Sequence, residues 1–262
     1  MKKRIHKPHR IKKKKPIFKK PLFWVAILIL ILLGTAIYFL VFFDKFQVKK
    51  VIISGNEKVR TEDLQELVSQ KIERNFLVVI SRSIFLISPN KINKAIQEEY
   101  PDIDSVKIRR ELPDTLNVNV IERKPFAIFC VGSNCYLIDE KGVTFEKTSS
   151  GEDSFPIVRH FENKEVVLGK EAVKKEIMEK IVKIKKGTED RSQITIKEAN
   201  IVSGERLNIK TSEGWQVYFN LTADIDLQVE KLNLLLEKEI SKENRAELQY
   251  IDLRFGNKAY YK

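Results

Sequence analysis

Residues 22–43 read LFWVAILILILLGTAIYFLVFF, a run without a single charge, and they follow a stretch, 1–20, that holds eleven Lys/Arg and no acid. As a helix rising ~1.5 Å per residue the apolar run reaches about 33 Å, enough to cross a hydrocarbon core roughly 30 Å thick with modest tilt. Sixteen of its 22 positions are Leu, Ile, Val or Phe. Each contributes about −0.3 to −0.6 kcal/mol at the bilayer centre, so insertion gains, as an upper estimate, on the order of −5 to −10 kcal/mol. The basic flank stays cytoplasmic by the positive-inside rule, and everything after Asp44 is then expected outside the cytoplasm. The predicted anchor is a transmembrane helix over 21–43, with Leu22, Trp24 and Phe43 among its anchoring residues.

Two other readings of this junction are weaker. A cleaved signal sequence has a shorter apolar stretch, 7–15 residues, and a small-x-small cleavage site, which Phe42-Phe43-Asp44-Lys45 does not supply. A nucleic-acid arm fits the charge block but not the rest of the chain. Residues 1–43 carry +11 of the net +12, which leaves 37 basic and 36 acidic residues in 44–262. A duplex-binding domain needs a basic patch of its own. Anionic lipid attracts such a tail at ~1 kcal/mol per basic residue near the surface, so orientation and lipid contact account for it.

The 219 residues beyond the apolar run exceed one small core and predict two domains. From Phe46 to Arg123 the order is strand, helix, helix, strand, strand. Val51-Ile52-Ile53 ends at Ser54-Gly55-Asn56, a buried strand and its turn. Thr61 is placed to cap a helix with Glu62 and Asp63 in its first turn and Leu64, Leu67, Val68 and Ile72 at helical spacing. Asn75–Ile87 is apolar without a clean period and reads as a loop or short extended piece. Ser88-Pro89 opens a second helix, with Ile92, Ala95, Ile96 and Tyr100 on one face and Pro101 stopping it. Val106 and Ile108, then Leu116, Val118 and Val120, alternate with polar residues around a Leu112-Pro113-Asp114 turn, as in a sheet covered on one side.

Phe46-x-Val48-x-x-Val51-x-Ile53-x-Gly55-Asn56, Tyr100-Pro101-x-Ile103-x-x-Val106-x-Ile108-x-Arg110-x-Leu112-Pro113 and Val120-x-Glu122-Arg123-x-Pro125 together resemble the POTRA module of the FtsQ/DivIB cell-division proteins. Leu137-Ile138-Asp139-x-x-Gly142 and Phe155-Pro156-Ile157-Val158 resemble the β-domain of the same family.

In that second unit Phe126–Cys130 and Tyr136–Ile138 read as paired strands, with Asp139-Glu140-Lys141-Gly142 turning into Val143–Phe145. A helix follows with Val173, Ile177, Ile181 and Ile184 on one face, ending at Lys186-Gly187. Strands recur at Gln193–Ile201, Arg206–Thr211 and Trp215–Asn220. Thr222 is the expected cap of a last helix whose face is Ile225, Val229, Leu232, Leu236 and Ile240. The closing strand, Leu248–Phe255, contains Tyr250-Ile251-Asp252-Leu253-Arg254-Phe255, which closely resembles the last strand of FtsQ proteins. The resemblance implies a sheet edge there, and an open edge offers main-chain hydrogen bonds to an added strand. It further implies that this strand and the helix before it receive the outer end of a coiled-coil division protein, FtsB or DivIC paired with FtsL. Arg254 would then be a salt-bridge donor and Phe255 an apolar contact. Tyr250 shares Arg254's parity, and Asn257, Tyr260 and Tyr261 extend the set. The bland alternative is an internal strand with a snorkelling arginine.

Catalytic signatures are missing. His6 and His9 lie in the tail, His160 has no His or Cys at ligand spacing, and G-x-S-x-G, H-E-x-x-H and phosphate-binding glycine loops do not occur. Ser88-Pro89-Asn90-Lys91 matches S-x-x-K without its companion motifs, and a helix cap followed by Pro explains it. Cys130 and Cys135 flank Val131-Gly132-Ser133-Asn134. Outside the cytoplasm they form either a cross-strand disulfide or a pair of free thiols.

The expected fold class is α+β: a basic cytoplasmic tail (1–20), a transmembrane helix (21–43), a POTRA-like domain (44–123) and an FtsQ-type β-domain (124–262). The expected function is a non-enzymatic, single-pass scaffold at the bacterial division septum, without cofactor, metal, nucleic acid or small-molecule substrate. Its expected partners are FtsB/DivIC-like and FtsL-like coiled coils, other division membrane proteins and membrane lipids. The rival is a POTRA-containing secretion or transport accessory protein that binds extended segments.

Overall fold

The computed structural model describes residues 20–76, 79–149, 155–161 and 165–262. Helix α1 runs Pro21–Phe42, within one residue of the predicted span. Among the described residues it is the only helix long and apolar enough to cross a membrane. Proline opens it, where its missing N–H costs nothing. Leu22, Trp24 and Phe43 are all exposed.

The order beyond it is β1 (Lys50–Ser54), α2 (Thr61–Ile72), β2 (Arg74–Phe76), β3 (Val79–Ser81), α3 (Pro89–Glu99), β4 (Ile103–Glu111) and β5 (Thr115–Glu122). Next come β6 (Ala127–Val131), β7 (Asn134–Ile138), β8 (Thr144–Thr148), β9 (Ile157–His160) and α4 (Lys175–Ser192). β10 (Ile196–Ile201), β11 (Arg206–Thr211), β12 (Gln216–Asn220), α5 (Ile225–Lys238), β13 (Tyr250–Asp252) and β14 (Tyr260–Tyr261) complete it. The α+β class holds: helices stand beside sheets, the largest of which has both antiparallel and parallel pairs. Three strands pair in the order β1-β5-β4, and nine in the order β14-β13-β12-β11-β10-β9-β6-β7-β8. The short antiparallel pair β2–β3 overlaps the aperiodic Asn75–Ile87 stretch and begins one residue before it.

The contacts group the chain into two compact units: 1–52, 72–88 and 109–117 form one, and 53–71, 89–108 and 118–262 the other. In the first, the end of α1 is tied down by side chains. Ser81 Oγ and Gln47 Nε2 donate to Val41 O at 2.8 and 2.7 Å, and Ser83 Oγ donates to Leu40 O at 2.7 Å. These carbonyls are among the four that a helix end leaves unpaired.

In the second unit α4 and α5 cover one face of the large sheet. Ile181, Ile184, Val229 and Leu232 join Val158, Ala199, Ile209, Val217, Phe219 and Ile251 in one core. The predicted end of α4 at Lys186-Gly187 is overturned: the helix continues to Ser192. Gly187 is there for contact rather than termination, since a Cβ on it would sit 2.5 Å from Val229 Cγ1 on α5. Termination falls instead to Gln193, whose φ is 56°. The cap of α5 is Asp224, which accepts from the Asp226 and Leu227 amides at 2.8 and 3.2 Å. Thr222 turns its hydroxyl to Asn220 Oδ1.

Two carboxylates organise the turns of this unit. Glu122 accepts from the amides of Glu57, Lys58 and Val59 at 2.8–3.0 Å. Partial burial alone would push its carboxyl up, but these three amides and the Lys58 charge hold it below its ordinary value of 4.5. The folded pKa is depressed, so the stability it contributes is present above pH 4.5 and is lost as pH falls through the folded value. Thermal melts should show wild type ahead of Glu122→Gln at pH 7, with the gap closing well below pH 4.5. A gap that stays constant with pH would refute this role.

Asp139 is the second. Its Oδ1 accepts from the Lys141 and Val143 amides, both at 2.9 Å, while Oδ2 meets Arg123 Nη1 at 2.6 Å. Arg123 also reaches Asp104 Oδ1 at 3.2 Å and Pro101 O at 3.0 Å, and both the Arg123 and Asp139 side chains are 8% exposed. Cys130 and Cys135 face each other across β6 and β7 and are bonded, with Cα atoms 4.2 Å apart.

Candidate functional site

The end of the large sheet built from β12, β13 and β14 gathers most of the residues predicted for docking, in an arrangement that differs from the predicted one. The sheet does not end at Tyr250–Phe255. β13 is paired on both sides, in parallel with β12 and antiparallel with β14. The reason is local and chemical. Gly256 adopts φ 49°, a conformation costly for other residues, and Lys258 N–H closes the turn on Phe255 O at 2.9 Å. The chain therefore folds back, setting Tyr261 opposite Ile251 and Tyr260 opposite Asp252. The edge is β14. Tyr250 and Lys262 exchange amide bonds, 3.3 and 3.2 Å, so the intervening Tyr261 turns its own N–H and C=O away from β13.

Lys231 on α5 holds the fold-back in place. Its ammonium donates to Leu253 O, Gly256 O and Lys258 O, and desolvation lowers its pKa. On the sheet face opposite the helices, Tyr218 is the centre of a stacked group. Tyr250 stacks on it at 5.5 Å between centroids and 18° between planes. The guanidiniums of Arg206 and Arg254 lie 4.9 and 5.6 Å from its ring centre, within the range of cation–π attraction.

Arg254, predicted as a salt-bridge donor to a partner, already has an internal partner. Its Nε and Nη2 bind Asp252 Oδ1 and Oδ2 at 2.8 and 2.6 Å. Burial pushes the Asp252 carboxyl up, but the Arg254 guanidinium and amide, with the charge of Arg206, outweigh it and hold Asp252 below its usual range. Phe255 is exposed, meets Tyr260 edge-on at 5.5 Å, and lies 5.6 Å under the Arg254 guanidinium. Asn257 is exposed in the turn. The structure thus joins Tyr250 and Arg254 through Tyr218, and Phe255 with Tyr260 through Arg254; the place of Tyr218 was legible only as the one aromatic on the polar parity of Gln216-x-Tyr218-x-Asn220. Arg206 and Lys231 carried no signal in the sequence.

Two clefts flank this end. One of about 340 Å³ is lined by Ser203, Glu205, Arg206, Asn220, Arg254 and Phe255. The other, about 280 Å³, lies between the end of α5 and β14, with Ile240, Leu248 and Tyr261 in its wall. Among the described residues no group of three His, Cys, Asp or Glu is placed to hold a metal. Ser88-Pro89-Asn90-Lys91 is the entry into α3, with Pro89 its first residue.

Comparison with known proteins agrees with this architecture. The model of the FtsQ-type POTRA domain matches residues 46–123, and that of the C-terminal part of cell division protein FtsQ/DivIB matches residues 127–254. The chain is 25% identical over 163 residues to the cell division protein FtsQ of Koribacter versatilis, covering 62% of this chain and 46% of that one. It is 29% identical over 101 residues to the cell division protein DivIB of Clostridium acetobutylicum, 38% and 37% of the two chains. The match thus spans less than half the length of either relative. With the cell division protein FtsQ of Geobacter sp. (strain M21), 24% identity extends over 274 residues, 97% of this chain and 95% of the other. Both matched segments, in this order behind one apolar helix, place the chain in the FtsQ/DivIB family of cell-division proteins.

Proposed function

We propose that this protein is a non-enzymatic, single-pass scaffold of the bacterial division machinery. Its tail, 1–20, is cytoplasmic, 21–43 is the membrane anchor, and the POTRA-like domain 44–123 and the β-domain 124–262 work outside the cytoplasm at the septum. The β-domain docks an FtsB/DivIC-like coiled coil, paired with an FtsL-like one, by strand addition, and so links assembly of the division complex to septal wall synthesis. The edge that receives the strand is β14 rather than Tyr250–Phe255. The observation that supports this is the outward-turned amide and carbonyl of Tyr261 beside an exposed Phe255–Tyr260 pair and the Arg254 guanidinium. Main-chain pairing supplies affinity in strand addition, and flanking side chains supply specificity.

Four variants of the full chain test it by capture of the coiled-coil partner. Tyr261→Pro removes the outward donor and should abolish capture, whereas Tyr261→Ala keeps the donor and should retain part of it. Arg254→Glu should weaken capture at least about tenfold, ~1.4 kcal/mol. Phe255→Ala should cost more than about 1 kcal/mol as an interface anchor. Normal capture by Tyr261→Pro would sink the edge assignment. For orientation, protease added to intact cells with a permeable or absent outer barrier should remove the carboxyl end and spare the tail.

A further inference from the structure

The first compact unit ends in an apolar collar around the outer end of α1. Phe39 meets Phe43 at 5.9 Å, Phe43 meets Phe46 at 6.0 Å, and Phe46 meets Phe85 at 5.3 Å between ring centres. Phe85 is 41% exposed although Ile84 and Ile87 beside it are buried at 0% and 4%. Leu112, on the β4–β5 turn, is 60% exposed. That turn belongs to the same end of the unit. The Lys49 and Lys50 amides donate to Asp114 O at 2.9 and 3.3 Å, and Arg110 Nη2 donates to Ile87 O at 2.7 Å.

The collar is fixed to the helix rather than loosely tethered. Gln47, Ser81 and Ser83 bind two of the free carbonyls at the end of α1, those of Leu40 and Val41, and Val41 is buried by this packing. Phe85 is therefore joined through one ring, Phe46, to Phe43, the residue that follows α1. Aromatic rings favour that level of a bilayer, and apolar side chains bury there beside polar backbone.

We propose that Phe43, Phe46, Phe85 and Leu112 form a membrane-docking surface that beds in the headgroup–acyl boundary of the leaflet from which α1 emerges. This rests on the reading that α1 spans the bilayer. The occupant is lipid because Phe43, Phe46 and Phe85 carry the exposed apolar wall of α1 onward through successive ring contacts. The ectodomain's first unit is then held upright against the membrane instead of swinging on a linker.

Cys130 and Cys135 are bonded to each other, so single cysteines introduced elsewhere in the full chain accept a nitroxide label selectively. Phe85→Cys, Leu112→Cys, Leu30→Cys on α1 and Leu227→Cys on the exposed side of α5 are labelled and placed one copy per nanodisc of phosphatidylethanolamine and phosphatidylglycerol. Collision with oxygen and with a water-soluble nickel chelate is then measured. The proposal expects positions 85 and 112 to be oxygen-dominated, several-fold above position 227, as position 30 is. Chelate-dominated labels at 85 and 112, with position 30 still oxygen-dominated, overturn the docking surface and leave the span intact. Shielding of 85 and 112 from both agents means protein contact and also overturns it. A chelate-accessible position 30 overturns the span itself.

Discussion

Arg123→Ala is expected to destabilise the protein by about 3–5 kcal/mol, the cost of stranding a buried charge by deleting its partner. The guanidinium is the shared donor to Asp139, Asp104 and the carbonyl of Pro101. Neither Asp139, 8% exposed, nor Asp104, 23% exposed, finds full hydration without it. Lys141 offsets part of the loss at Asp104, which it reaches at 2.6 Å, but it leaves Asp139 Oδ2 without a donor. Such a loss is a large fraction of the 5–15 kcal/mol that separates a typical domain from its unfolded state. Denaturant melts of the full chain in detergent, followed by near-ultraviolet circular dichroism of the buried Trp215, give the value. Adding Asp139→Asn, which keeps an acceptor for the Lys141 and Val143 amides, should return part of the stability, since the charge is then gone. A single-variant cost below about 1 kcal/mol would show that water replaces the guanidinium and that the cluster is a surface feature.

The second large effect is expected at Gly142. Its φ is 85°, and a Cβ there would lie 1.9 Å from Val173 O. The same glycine's carbonyl accepts from the Ala172 and Val173 amides at 2.8 and 3.3 Å, so the clash cannot be relieved without breaking those bonds. Alanine pays the positive-φ penalty of about 1–2 kcal/mol and a further 1–3 kcal/mol, roughly, for forcing packed backbone apart. Gly132→Ala is the matched control, because φ is 58° but nothing lies within 4 Å. The two variants should differ by the clash alone. Equal melting points would mean that the segment carrying Val173, just before α4, gives way freely.

These two positions also show how much was legible beforehand. Glu122-Arg123 and Leu137-Ile138-Asp139-x-x-Gly142 are two of the fragments that carry the family resemblance, and their pattern on the page says nothing of each other. Folded, Arg123 closes on Asp139, and Gly142 gives the turn that aims the Asp139 carboxylate. A short motif records the residue types; the ion pair that makes them matter needs both ends.

The docking end is a similar case. Alternation located β11, β12 and the start of β13, and the polar parity of Tyr250 was correct as far as it went. What alternation could not supply is the neighbour on each side. One positive-φ residue, Gly256, let the chain return along β13 and moved the sheet edge to β14. The sequence leaves Arg254 as a salt-bridge donor in want of a partner, yet Asp252, two residues away, binds it with both oxygens. Helix ends shifted for a comparable reason. Gly187 has the composition of a stop signal, and only the approach of Val229 across the α4–α5 contact shows that the glycine makes room for a helix that continues.

By itself, then, the sequence determined the apolar span with its basic flank, the order of helices and strands, the α+β class and the faces that are buried. Each of these depends on residues near one another in the chain, through hydrophobic period, turn chemistry and transfer free energy. Tertiary structure alone decided which strand forms the edge, that Arg123 meets Asp139, that Tyr218 gathers Tyr250, Arg206 and Arg254, and that the Ser81–Ser83 segment caps α1. These depend on groups brought together from distant positions, and no local period encodes the partner of a hydrogen bond or the far side of a strand.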